Sequence, residues 1–172
     1  MKIFVASDIH GDIKKCEDVI AKFNEEKADK LLLLGDILYH GPRNDLPEDY
    51  EPKKVIAALN EIKEKILAVR GNCDTEVDQM VLEFPIMAEY MYIVSGDTPI
   101  FVTHGHHHSF DDLPYLAPGS VFICGHTHVA QDTMINGIRC MNPGSPSIPK
   151  GGTKPSYIII EDGVLTLKKL YN

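Results

Sequence analysis

The chain has 172 residues, 44% of them hydrophobic and 24% charged, which is the balance of a soluble globular domain and excludes disordered, collagen-like and low-complexity classes. Lysine and arginine total 17 against 25 aspartates and glutamates, a net charge of −8. The lysines are scattered, which argues against a protein built to hold long nucleic acid, and no apolar run approaches the roughly 18 residues of a membrane span.

Lys2 to Ser7 reads as a buried strand, and the polar Asp8 and His10 stop the apolar run far short of a secretory leader. Ile13, Cys16, Val19, Ile20 and Phe23 fall at helical spacing, with Asp12 as the cap of that helix. Leu31 to Leu34 is a second buried strand, and the polar stretch from Tyr39 to Pro52 is a loop. Pro52 suits the first turn of a helix whose apolar face is Val55, Ile56, Leu59 and Ile62. Ile66 to Val69 is a third strand, completing a βαβαβ half with parallel strands. Asp74 either orients a neighbouring group or caps a short helix before Met80 and Val81, and the cap is the reading preferred. Tyr90 to Val94, Ile100 to Thr103 and Val121 to Cys124 read as further strands. Asn136-Gly137 and Asp162-Gly163 lie between apolar runs and signal hairpins. The expectation is an α/β fold, two mixed sheets face to face with helices outside, in a single domain spanning 1–172. Cys16, Cys73, Cys124 and Cys140 form no CxxC pair, so the reading is a reduced chain in the cytoplasm.

The chemistry is carried by strand ends. They supply Asp8-Ile9-His10, Gly35-Asp36, Gly71-Asn72-Cys73-Asp74, His104-Gly105-His106 and Gly125-His126-Thr127-His128. In open α/β sheets, ligands bind at the carboxyl ends of strands. Residues i and i+2 share one side of an extended chain, so Asp8 with His10, and His126 with His128, can each address one site. Asp36 has two oxygens with which to bridge two cations, and Asn72 adds a neutral oxygen. This oxygen and nitrogen set without thiolate suits Mn²⁺, Fe, Co, Ni or Zn above four-coordination. Each residue alone has an ordinary explanation as a turn former, a cap or a core histidine; five strand ends together do not. In the loop after the second strand, Arg43 and His40 are candidate phosphate or leaving-group contacts, and Asn44 and Asp45 serve turn chemistry. His107 and His108 read as solvated loop, with His106 a candidate substrate contact.

These five blocks, in this order, resemble the signature of the calcineurin-like metallophosphoesterases, D-x-H, G-D, G-N-H-D, H-G-H and G-H-x-H. His40-Gly-Pro-Arg-Asn44, Val69 to Asp74 and Asn142-Pro-Gly-Ser145 are similar to the YfcE-type phosphodiesterases of bacteria and archaea. The resemblance implies a four-layer αββα sandwich and a phosphodiesterase dependent on two divalent ions, Mn²⁺ first among them. One ion would take Asp8, His10, Asp36 and His128, and the other Asp36, Asn72, His104 and His126, with Asp36 shared and a bridging hydroxide as nucleophile. Asn72, Cys73 and His104 are the candidate catalytic residues. The family carries histidine where this chain has Cys73, so a general acid is missing at that position, unless Cys73 only packs. The implied partner is a small phosphodiester, with oligomeric state left open. Two other readings share the fold: a scaffold module, like the retromer subunit that resembles this family, and a nuclease or nucleotide phosphatase.

Overall fold

The computed structural model describes residues 1–171. In chain order, β1 (Lys2–Ala6), α1 (Ile13–Glu25), β2 (Lys30–Leu33), α2 (Pro52–Asn60) and β3 (Ile66–Ala68) form the expected βαβαβ half. They are followed by α3 (Glu76–Val81), β4 (Tyr90–Ser95), β5 (Thr98–Thr103), β6 (Val121–Ile123), β7 (Gln131–Ile135), β8 (Ile138–Asn142), β9 (Ser156–Glu161) and β10 (Val164–Lys169). The strands make two five-stranded sheets, ordered β10-β9-β1-β2-β3 and β4-β5-β6-β8-β7. β1, β2 and β3 run parallel in the first, and β5, β6 and β8 run parallel in the second, with antiparallel strands outside each trio.

Period-two alternation decides how the sheets pack. Ile3, Val5, Leu32 and Leu34 point inward and meet Ile100, Val102, Val121, Ile123 and Met141 of the other sheet. The intervening residues Phe4, Ala6, Leu31 and Leu33 point the other way, onto Cys16, Val19 and Phe23 of α1 and Val55 and Leu59 of α2. The outer face of the second sheet is covered differently. Phe101, Phe122 and Cys140 are capped by Phe110, Leu113 and Leu116, which lie in irregular chain between β5 and β6. The sandwich expected from the sequence is therefore present, with a loop as its fourth layer and all three α-helices associated with the first sheet's side.

Local signals hold where the physics is local. Asp12 caps α1 by accepting from the Lys15 amide at 2.9 Å. Asn136-Gly137 and Asp162-Gly163 all have positive φ, the two-residue hairpin turn that matches strand twist. The cap of α3 is a correction. Thr75 caps it, in a capping box with Asp78, and Asp74 is buried one residue earlier. No helix among the described residues is long and apolar enough to cross a membrane.

Candidate metal centre

Both parallel trios end at the same edge of the sandwich, and their following turns face each other. The turn after β1 is tied to the turn after β2 by the Asp8, His10 and Gly11 amides, which donate to Gly35 O, Asp36 O and Ile37 O at 3.1, 2.9 and 2.9 Å. The two sheets are joined where Ser7 Oγ and the His126 amide both donate to Asp8 Oδ2, at 2.6 and 3.0 Å. Gly125 is required there, because a Cβ would collide with Ser7 Oγ. Asn142, at the end of β8, donates to Gly125 O at 2.7 Å, and Ser145 Oγ donates to Asp8 O at 2.7 Å.

Five of the expected ligands sit in left-handed backbone: Asp8 at φ 59°, His10 at 51°, Asp36 at 53°, His126 at 66° and His128 at 60°. Each such non-glycine residue costs on the order of 1 kcal/mol or more and persists only where its surroundings enforce it. This corrects the extended-chain argument for the two i, i+2 pairs. Asp8 and His10, and His126 and His128, are brought together by left-handed turns after the strands.

The imidazoles are oriented by their distal nitrogens. Nδ1 of His10 donates to Tyr39 O at 2.7 Å, Nδ1 of His104 to Leu34 O at 2.7 Å, and Nδ1 of His128 to Ile148 O at 2.8 Å. A carbonyl only accepts, so the proton is on Nδ1 and each neutral ring turns an Nε2 lone pair inward. The Nε2 atoms of His10 and His128 lie 3.1 Å apart, and Asp8 Oδ1 is buried with no hydrogen-bond partner. Asp8 Oδ1 lies 3.7 Å from His10 Nε2 and 3.3 Å from His128 Nε2. Nδ1 of His126 is 3.2 Å, and Asn72 Oδ1 3.0 Å, from His104 Nε2. Lone pairs aimed at one another in a buried pocket fit cations. The seven expected ligands thus converge as two clusters.

Asp36 stands between the clusters. Its Oδ1 accepts from the Cys73 amide at 2.8 Å, while Oδ2 is 3.7 Å from His10 Nε2 and 3.5 Å from His104 Nε2. One oxygen faces both sides, rather than one oxygen facing each. Gly71 brings its backbone against this carboxylate where a side chain would not fit.

The field of the pocket is consistent with that fit. Burial raises the Asp8 carboxyl, but the His10, His128 and His104 rings outweigh it and hold Asp8 well below the usual carboxylate range. Burial lowers His10, and Asp8, the Tyr39 carbonyl and Asp36 more than restore it, so its pKa lies above the ordinary value and a cation binding at Nε2 would displace a proton. His126 is lowered by burial first, then by His104, and also by Arg43. His106 is pushed down to about 4 by burial and by its histidine neighbours. Cys73 is raised well above its ordinary range by burial and by Asp36, so at neutral pH it is a thiol. Its Sγ accepts a weak bond from Asn72 Nδ2 at 3.3 Å.

The remaining candidates divide. Arg43 lines a cavity of about 370 Å³ with Asp36, Asn72, Cys73, His126 and His128. His40 does not line it; its ring packs edge-on against Tyr39 and Tyr50. His106 lies outside that lining, with its ring 5.4 Å from His104. His107 pairs with Glu89 at 3.5 Å at the surface.

Sequence reasoning set one support aside and missed two. Asp74 accepts from the amides of Asp36, Ile37 and Gly71 at 2.9, 2.9 and 2.7 Å, and so holds the turn that carries the shared carboxylate. Its place two residues after Asn72 was the available signal, and the orienting role was weighed there but the helix cap preferred. Ser145 was visible only inside Asn-Pro-Gly-Ser. Lys150, which also lines the cavity, carries no local motif.

The family model for the calcineurin-like phosphoesterase superfamily domain matches residues 1–162. The phosphodiesterase YfcE of Escherichia coli K12 is 47% identical over 167 residues, which cover 97% of this chain and 91% of that protein. A solved structure of that E. coli phosphoesterase superposes with a TM-score of 0.95 at 46% identity, covering 99% of this chain and 94% of that one. Vps29 from Entamoeba histolytica, solved in complex with Zn²⁺, has a TM-score of 0.59 at 19% identity over 97% of this chain and 90% of that one, a likeness of fold.

Proposed function

The chain belongs to the calcineurin-like phosphoesterase superfamily, and from that premise we propose that it is a metal-dependent phosphodiester hydrolase working through two divalent ions, Mn²⁺ by preference, shared by Asp36. Asp8, His10 and His128 would hold one ion, and Asn72, His104 and His126 the other. When bound, the ions supply Lewis acidity to the phosphoryl oxygens and acidify a water. The protein's own part is positioning. Tyr39 O, Leu34 O and Ile148 O fix the imidazole tautomers, and Ser7 and the His126 amide fix Asp8. Asp74 and the Cys73 amide fix Asp36. Arg43 lines the same cavity as a cation open to an anionic group of the substrate. No imidazole stands at position 73, and a thiol there is a poor proton donor. This favours diesters with good leaving groups over monoesters.

The observation that carries the reading is the pair of facing Nε2 atoms beside the unpartnered Asp8 oxygen, a buried arrangement of lone pairs suited to cations. We read the whole chain as one domain acting on small diesters in the cytoplasm, a setting in keeping with four buried free cysteines. Hydrolysis of bis(p-nitrophenyl) phosphate tests the function. Chelation should abolish it and Mn²⁺ should restore it. Equal turnover by chelated, metal-free protein would defeat the reading.

A further inference from the structure

Two cations border the cavity from different loops. Arg43 belongs to the loop after β2, and Lys150 to the loop between β8 and β9. Of the three arginines, Arg70 and Arg139 face carboxylates at 3.5 and 2.8 Å. Among the described residues neither Arg43 nor Lys150 makes an ion pair. Lys150 is nonetheless held in place. Its Nζ donates to Asn44 Oδ1 at 2.9 Å, Asn44 Nδ2 donates to His40 O at 2.8 Å, and the Lys150 amide donates to His128 O at 3.0 Å. The side chain of Asn44 therefore does more than turn chemistry, since it ties Lys150 across the mouth of the crevice.

The charge at this mouth exceeds what a simple diester needs. With two divalent ions, Asp8, Asp36 and a bridging hydroxide, the centre carries about +1, and Arg43 and Lys150 raise the crevice to about +3, against a single negative charge on a diester. The cavity, at about 370 Å³, is also on the scale of a whole small ligand rather than one phosphoryl group. Fixed cations with no protein anion are poised for a ligand's anion.

We propose that Arg43 and Lys150 form a second anion subsite beside the metal centre, and that the substrate is a phosphodiester carrying a further phosphate group. The proposal rests on the phosphodiesterase reading for its reacting group, and on Arg43, Lys150 and Asn44 for the second. The planar guanidinium offers two parallel donors to that phosphate, and the ammonium offers a point charge opposite.

The test compares thymidine 5′-(p-nitrophenyl phosphate) with the same diester bearing a 3′-phosphate. Wild type should prefer the phosphorylated diester by about tenfold in kcat/KM, the scale of one charge-assisted hydrogen bond. Arg43→Met and Lys150→Met should each reduce that ratio, and the double variant should bring it to about one. A ratio near one in wild type would overturn the proposal. So would variants that slow both substrates in equal proportion, which would put the two cations on the reacting phosphate. Calorimetry in the presence of Mn²⁺ gives a readout independent of turnover. Thymidine 3′,5′-bisphosphate should bind about tenfold more tightly than thymidine 5′-monophosphate, and the double variant should lose that preference. Were neither diester hydrolysed, the phosphodiesterase reading would fall and this binding arm alone would decide. A preference lost in the double variant sustains the subsite, and no preference in wild type removes it.

Discussion

Asp74 offers a sharp test of how the turn after β2 is held. Its carboxylate is 1% exposed and accepts three backbone amides, Oδ2 from Asp36 and Gly71 and Oδ1 from Ile37. Asp74→Ala leaves three buried N–H groups without an acceptor. At about 1–3 kcal/mol for each such group the nominal loss is about 3–9 kcal/mol, and water entering the vacated space recovers part of it. We expect about 3–5 kcal/mol, a large share of a total stability of roughly 5–15 kcal/mol. Asp74→Asn is the finer variant. With its oxygen in the Oδ2 position it keeps two acceptances and turns an amide N–H toward that of Ile37, for a loss of about 2 kcal/mol. Urea unfolding followed by circular dichroism reads both. With a slope of about 2 kcal/mol/M, the alanine variant should lose about 2 M in midpoint and the asparagine variant about 1 M. An alanine variant within about 1 kcal/mol of the parent would refute the claim that this carboxylate organises the turn.

Gly125→Ala should abolish manganese binding and destabilise the fold, because the new Cβ collides with Ser7 Oγ at the junction of the sheets; calorimetric titration and urea unfolding check both, and parental binding would contradict the packing. Glu26 is raised by burial, but Lys168, Tyr157 and Lys2 outweigh that and hold it below its ordinary 4.5. Its stabilisation is therefore complete above about pH 4.5 and lost as pH falls through the depressed folded value. Glu26→Gln should be less stable than the parent near pH 7 and converge with it as pH falls through the depressed folded value, seen in urea midpoints from neutral into acid pH; a constant gap would contradict this. Cys73→His should speed p-nitrophenyl phosphate hydrolysis relative to the diester, and an unchanged ratio would show that this position does not supply the acid.

The βαβαβ half was legible because its signals are local and repeated, the inward residues of β1 and β2 alternating and Asp12 and Pro52 marking helix starts. The seven candidate ligands stood out because each lies in a polar turn directly after a buried strand. How the turns reach one another was not, since positive φ at Asp8, His10, Asp36, His126 and His128 is enforced by contacts from distant chain. The Asp8 turn alone takes bonds from residues 118 and 137 positions away. Asp74 misled because an acidic residue before a short helix also fits a cap, and only burial separates the two uses. The loop that covers the second sheet shows no periodicity, so Phe110, Leu113 and Leu116 gave no sign of forming a layer.

The central claim is that one oxygen of Asp36 lies between two bound cations. Anomalous diffraction from crystals soaked in Mn²⁺ measures it directly. Two manganese peaks flanking Asp36 Oδ2, one beside His10 and His128 and the other beside His104 and His126, are the predicted result. A single peak, or peaks remote from Asp36, would contradict the account.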